Sequence, residues 1–140
     1  MTIKLFFDKS RAVVMMISFL SLFGCVNKSQ REWENRYGKK GLEEIHNMFE
    51  GDLNVLFHDF DENMRHSTSI DKLTEIRSQV ANHFGKIKKI NKINIVQTKD
   101  KSNDDIFVSR YRIECKNGKL QMIITFNRAD QIVGMWVNPE

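Results

Sequence analysis

From Gly41 onward the apolar residues fall three and four positions apart: Leu42, Ile45, Met48 and Phe49, then Leu53, Leu56, Phe57, Phe60 and Met64. That spacing lays an apolar stripe along a helix face. Gly51 and Asp52 interrupt it, so a kink or two short helices is expected there. The next segment opens on Ser67, Thr68 and Ser69, continues with Leu73, Ile76, Val80 and Phe84, and stops at Gly85. Hydroxyl residues suit an N-cap and glycine suits a C-terminal stop, which predicts one helix between them.

After Gly85 the pattern turns to strands. Isoleucines stand at 87, 90, 93 and 95, and the polar run 99–105 separates them from two longer strand-like segments, 106–115 and 120–126. Asn117-Gly118 between those two is a strong signal for a two-residue type I′ hairpin turn. The register it predicts pairs Cys115 with Leu120, Ile113 with Met122, Tyr111 with Ile124 and Ser109 with Phe126 on an apolar face. Glu114 then meets Gln121, Arg112 meets Ile123 and Arg110 meets Thr125 on a mostly polar face, as in an antiparallel sheet covered on one side. The last segment, 132–138, breaks the alternation: Ile132 and Trp136 fall on one face, and Val133, Met135 and Val137 on the other. One set must then lie outside, near Ile123. Ile123, Val133, Met135 and Val137 are therefore the candidate interaction surface. The other reading is that the sheet curls and a helix or the N-terminal segment covers them. The fold class expected is α+β, with N-terminal helices packed on one face of a curved antiparallel sheet of about four strands.

The N-terminus follows a different logic. Residues 1–11 carry Lys4, Lys9 and Arg11 against Asp8, residues 12–23 carry no charge, and Gly24 and Cys25 follow. A basic start, a short apolar run and a small residue describe a secretory signal, and the run is shorter than the about 20 residues that a spanning helix needs. Leu22-Phe23-Gly24-Cys25 resembles the lipobox of bacterial lipoproteins. The resemblance implies that residues 1–24 are removed and that the Cys25 thiol and amino group carry acyl chains; two or three chains hold a protein durably where one does not. The implied partner is the membrane and the implied place is the cell envelope. Val26 follows the cysteine, which implies the outer membrane facing the periplasm in a two-membrane bacterium, or the outer face of the plasma membrane otherwise. An ordinary signal peptide and a short uncleaved anchor are the rival readings. Residues 25–40 then form the lipidated cysteine and a polar tether with a reach of about 20 Å, and residues 41–140 the domain.

Charge and cysteine content narrow the function classes. The formal charge is +4, but residues 1–24 contribute three of the basic residues and one of the acidic, leaving +2. A nearly balanced domain offers no footprint for nucleic acid. The cysteines are Cys25 and Cys115; with Cys25 acylated, Cys115 has no disulfide partner and is expected as a small buried hydrophobe.

The segments 48–90 and 123–139, with their leucine-spaced helix ending in glycine, lysine-rich strand and closing strand from Phe126 to Gly134, resemble a group of bacterial domains of unknown function. Those domains belong to the nuclear transport factor 2-like, or cystatin-like, superfold. The resemblance implies a cone between sheet and helices, in which enzymes of that superfold place an Asp/His pair. Here the predicted inward face carries Phe107, Tyr111, Ile113, Met122, Ile124 and Phe126, a lining that would bind an apolar ligand or form a packed core, the latter being the reading preferred. Among the four histidines, His46, His58, His66 and His83, none falls in an HExxH motif, and the chain has no G-x-S-x-G, P-loop or CxxC. His58 and Glu62 stand four apart but lack a third ligand or orienting group, so no catalytic residue, metal or cofactor is expected. Lys86, Lys88, Lys89 and Lys92 either meet anionic headgroups or guard an edge strand. The expected function is a lipid-anchored, non-catalytic binding or interaction module that meets a second copy or an envelope protein. The alternative is a small-ligand or enzymatic site in the cone.

Overall fold

The computed structural model describes residues 28–140. Four helices, α1 (Lys28–Phe49), α2 (Leu53–His58), α3 (Glu62–Ser67) and α4 (Ile70–Phe84), precede four strands, β1 (Ile87–Lys99), β2 (Asp105–Cys115), β3 (Gly118–Asn127) and β4 (Ile132–Pro139). The strands form one antiparallel sheet in the order β1-β2-β3-β4, and the helices lie against its inner face. This is the α+β arrangement expected from the pattern.

The polar tether is corrected over residues 28–40, which are the first half of a 22-residue helix. Trp33, Tyr37, Gly41, Ile45 and Met48 share one face of α1, so the stripe begins earlier than Gly41. Tyr37 is buried, stacks on Phe107 at 4.2 Å between ring centres, and donates from its hydroxyl to the Asn127 carbonyl at 3.2 Å. Leu42, one step off the stripe, is exposed. The gap at Gly41 hid the continuity. It is filled from outside the helix: the Tyr111 hydroxyl donates to the Gly38 carbonyl at 3.1 Å, with the Tyr37 carbonyl 3.3 Å away. A Cβ on Gly41 would stand 2.7 Å from Tyr111 Cζ and nearer still to its oxygen. Glycine inside a helix costs about 1 kcal/mol relative to alanine, and here it admits a side chain to the helix backbone.

The break at Gly51 is held by α4. Arg77 donates from Nε to the Met48 carbonyl at 2.7 Å and from Nη2 to the Asn47 and Gly51 carbonyls at 2.6 and 3.0 Å. A guanidinium thus satisfies carbonyls that the end of α1 leaves open and meets the negative end of its dipole. Asp52, Asp61 and Ser69 cap the three following helices by accepting from the backbone amides of Asn54, Met64 and Lys72. Gly85 ends α4 at φ 70°, as its sequence position suggested.

The hairpin keeps the expected faces but not the expected register. Cys115 pairs with Gly118, Ile113 with Leu120, Tyr111 with Met122 and Ser109 with Ile124, two positions along β3 from the prediction. The turn residues are Lys116 and Asn117. Neither has the positive φ that a type I′ turn demands; among the described non-glycine residues only Asn103 and Asp130 do. A slip of two leaves every side chain on its own face, so alternation could not exclude it. Tertiary bonds set the turn: Lys116 N–H donates to the Lys86 carbonyl and Asn117 N–H to the Phe84 carbonyl, both at 2.9 Å. Gly118 instead makes room for the Phe84 ring, which a Cβ there would approach to 3.1 Å.

The broken alternation of β4 is a bulge. Phe126 pairs with Ile132 and Thr125 with Gly134, which leaves Val133 as the extra residue. Parity reverses there, so Ile132, Met135 and Val137 all enter the core and are 0–1% exposed. Met135 and Val137 are accordingly corrected from surface to core.

Gly41→Ala tests the helix–sheet contact. Tyr111 is fully buried and its hydroxyl is bonded to the helix backbone, so the substitution is expected to cost about 1–3 kcal/mol, read as a lower urea midpoint. An unchanged midpoint would contradict the close approach.

Candidate functional site

Both sheet faces bear on function. On the inner face Phe107, Tyr111, Ile113, Met122, Ile124 and Phe126 are all buried in one core with Tyr37, Ile45, Met48 and Leu73. The expected packed interior is present at each of these residues. Ser109 lies among them, fully buried, with no hydrogen-bond partner for Oγ. Cys115 is buried and free, its thiol pushed up by burial.

The outer face carries two of the expected interaction residues and several that were not foreseen. Ile123 pairs with Trp136 and Arg110, and Val133 stands at the bulge; both are half-buried. The Trp136 ring lies over Gly134, where a Cβ would come within 2.5 Å of it. Val96 pairs with Val108, and Thr98 with Ile106, on the same face. A band of exposed Val96 and half-buried Ile106, Ile123 and Trp136 therefore crosses all four strands, with Val108 buried among them. Arg112, in an ion pair with Glu140 at 2.7 Å, and Glu114, accepting from Asn91 at 3.1 Å, border one side of it. Alternation gave the parity of Ile123. The bulge, which exchanges Trp136 for Met135 and Val137, is invisible without pairing.

His58 and Glu62 do not share a helix. His58 ends α2, Glu62 opens α3, and both are exposed; His58 faces Asp59 at 3.6 Å and Glu62 faces His66 at 3.6 Å. No group of three His, Cys, Asp or Glu residues among the described residues is placed to hold a metal ion. Lys86, Lys88, Lys89 and Lys92 are exposed on or next to β1, an edge strand, where lysines discourage pairing with another sheet.

A buried charge cluster was missed. Lys40 Nζ lies 2.6 Å from Asp59 and 3.5 Å from Glu44, whose side chain is 3% exposed. Burial and then the neighbouring Asp59 carboxyl push Glu44 up to about 7. Burial opposes ionisation of Asp59 as well, yet Lys40 and Glu44 hold it below the usual carboxylate range. Near neutral pH Glu44 is thus partly protonated beside an ionised Asp59, with Lys40 balancing the charge. Asp59 also joins the helices to the sheet: its carbonyl accepts from Ile132 N–H at 2.7 Å, and Asp61 N–H donates to the Ile132 carbonyl at 3.0 Å. The available signal was Lys40–Glu44 at i,i+4 beside the apolar stripe; Asp59 is brought in by the chain reversal after α1.

A shallow cleft of about 400 Å³ opens where the start of α1 crosses the end of the sheet, lined by Ser29, Glu32, Trp33, Arg36, Tyr37, Phe107 and Arg128. Trp33 leans on Phe107 at 5.6 Å. Asp105, below it, is paired with Lys99 at 2.7 Å and with Arg128, and Lys99 together with Arg128 holds its carboxyl low against the effect of burial. Arg36 pairs with Asp130. Cys25 and the apolar run before it lie outside the described residues, and no described helix is long and apolar enough to cross a membrane. No protein-family model, curated protein or solved structure matches the chain.

Glu44, at about 7 in the folded chain against 4.5 unfolded, binds a proton on folding between those values. Its contribution is full below about pH 4.5 and is lost as pH rises through about 7. Wild-type denaturation midpoints are therefore expected to fall between about pH 5 and pH 8, and those of Glu44→Gln to stay more nearly level, with the variant ahead at the upper end. Parallel profiles would remove Glu44 as the titrating group.

Proposed function

We propose that this chain is a lipid-anchored protein of the bacterial cell envelope, held through Cys25, whose α+β domain is a non-catalytic binding module. In a two-membrane bacterium it sits on the outer membrane and faces the periplasm; otherwise it sits on the outer face of the plasma membrane. The partner is a second copy of the chain or another envelope protein. The observation that carries the reading is the apolar band of the outer sheet face, centred on Ile123 and Trp136, while the helices occupy the opposite face. Apolar bands with polar margins mark association surfaces more often than inert ones. The cone that a small-ligand site would need is filled by Tyr37, Phe107, Tyr111, Met122 and Phe126. Helices followed by a four-stranded antiparallel meander also support the likeness to the nuclear transport factor 2-like superfold.

The intact mass of membrane-extracted protein tests the anchor. A chain starting at Cys25 with added acyl mass, absent from Cys25→Ser, is expected, and an unmodified full-length chain would overturn it. Cross-linking in intact cells tests the surface. Wild type is expected to give a defined adduct that Ile123→Asp reduces by about tenfold, as loss of a 1.4 kcal/mol contact would, with unchanged circular dichroism. Equal adducts from both proteins would reject the outer face as the binding surface.

A further inference from the structure

α1 begins at Lys28, three residues after Cys25. Three extended residues span at most about 11 Å, so an anchor at Cys25 leaves the domain no tether on which to roam. The part of the domain within that reach is the first turns of α1 and the end of the sheet beside them. That end has a composition suited to lipid headgroups. Trp33 is half-buried, with one side on Phe107 and the rest in the cleft. Arg31 is exposed, and the Arg36 and Arg128 side chains remain 58% and 75% exposed although each meets a carboxylate. Indole rings, apolar in body and polar at one edge, settle at the level of the headgroups. Guanidinium groups bind phosphate oxygens in pairs, and each cation near an anionic surface contributes about 1 kcal/mol. Glu32 lines the same cleft and limits the net attraction, so the aromatic contact and the anchor set the orientation together.

We infer that this end of the domain docks on an anionic lipid surface, with Trp33 in the headgroup layer and Arg36 and Arg128 facing lipid phosphates. The inference rests on the lipoprotein reading above. Trp136 then serves as an internal reference. Its backbone lies opposite Ile123 and its ring reaches back over Gly134, opposite Thr125, so the ring stands on the outer sheet face rather than in the cleft where Trp33 meets Phe107.

The chain has only these two tryptophans, which makes the orientation measurable. The processed protein is reconstituted into vesicles of phosphatidylethanolamine and phosphatidylglycerol containing lipids brominated near the top of the acyl chain. Trp136→Phe leaves Trp33 as the sole emitter, and Trp33→Phe leaves Trp136. Quenching of Trp33 is expected to exceed that of Trp136 by roughly twofold or more, and to weaken when phosphatidylglycerol is omitted. Equal quenching, stronger quenching of Trp136, or Trp33 quenching indifferent to phosphatidylglycerol, in a protein whose mass shows acylated Cys25, would overturn the docking and leave the lipoprotein reading standing. A protein without acyl mass that fails to enter the vesicles would overturn both.

Discussion

The Tyr111 hydroxyl reaches the backbone of α1 at Gly38, and the packing of helix on sheet depends on that approach. Tyr111 stands in the middle of β2, fully buried, and its phenol is pushed up to about 12 by burial. A buried hydroxyl without a partner would be costly. Its partner is a carbonyl of the helix, and Gly41 is the opening through which it arrives. With the helix drawn this close, Tyr37 stacks on Phe107 and lies 5.4 Å from Phe126. Ile45 and Met48 then close the interior further along the helix.

A second constraint joins the start of β4 to the helices. The segment Asp59–Asp61 brackets Ile132 with two backbone hydrogen bonds, and Phe60 is fully buried beside it. Lys40 and Glu44 tie the same segment to α1 through Asp59. The bulge at Val133 follows directly after this junction. It turns Met135 and Val137 inward to fill the core and leaves Trp136 outside. The apolar outer band is thus a consequence of how the chain is pinned where β4 begins.

These two constraints give the domain two ends and two faces with different chemistry. The inner face is consumed by packing. The outer face offers aliphatic and indole surface. The end at which α1 starts combines Trp33 with Arg36 and Arg128 and lies next in sequence to Cys25. A lipid-anchored binding module would use these separately, one end for the membrane and one face for a protein.

Where periodicity alone carried the information, the chain was legible. The stripe of α4, its Ser69 and Gly85 boundaries, and the inward set from Phe107 to Phe126 follow from side-chain direction, a local property. What needed the tertiary structure was each matter that local patterns leave degenerate. A hairpin slipped by two keeps its faces, so bonds from the Lys116–Asn117 turn to Phe84 and Lys86 chose the register. A polar-looking segment with two aromatics four apart became helix because Phe107 and Phe126 received Tyr37. The parity of β4 and the Lys40–Glu44–Asp59 cluster depend on contacts between residues remote in the chain. Direction and period were therefore the sequence's to determine, and register, closure and the placement of buried charge were decided only when distant segments met.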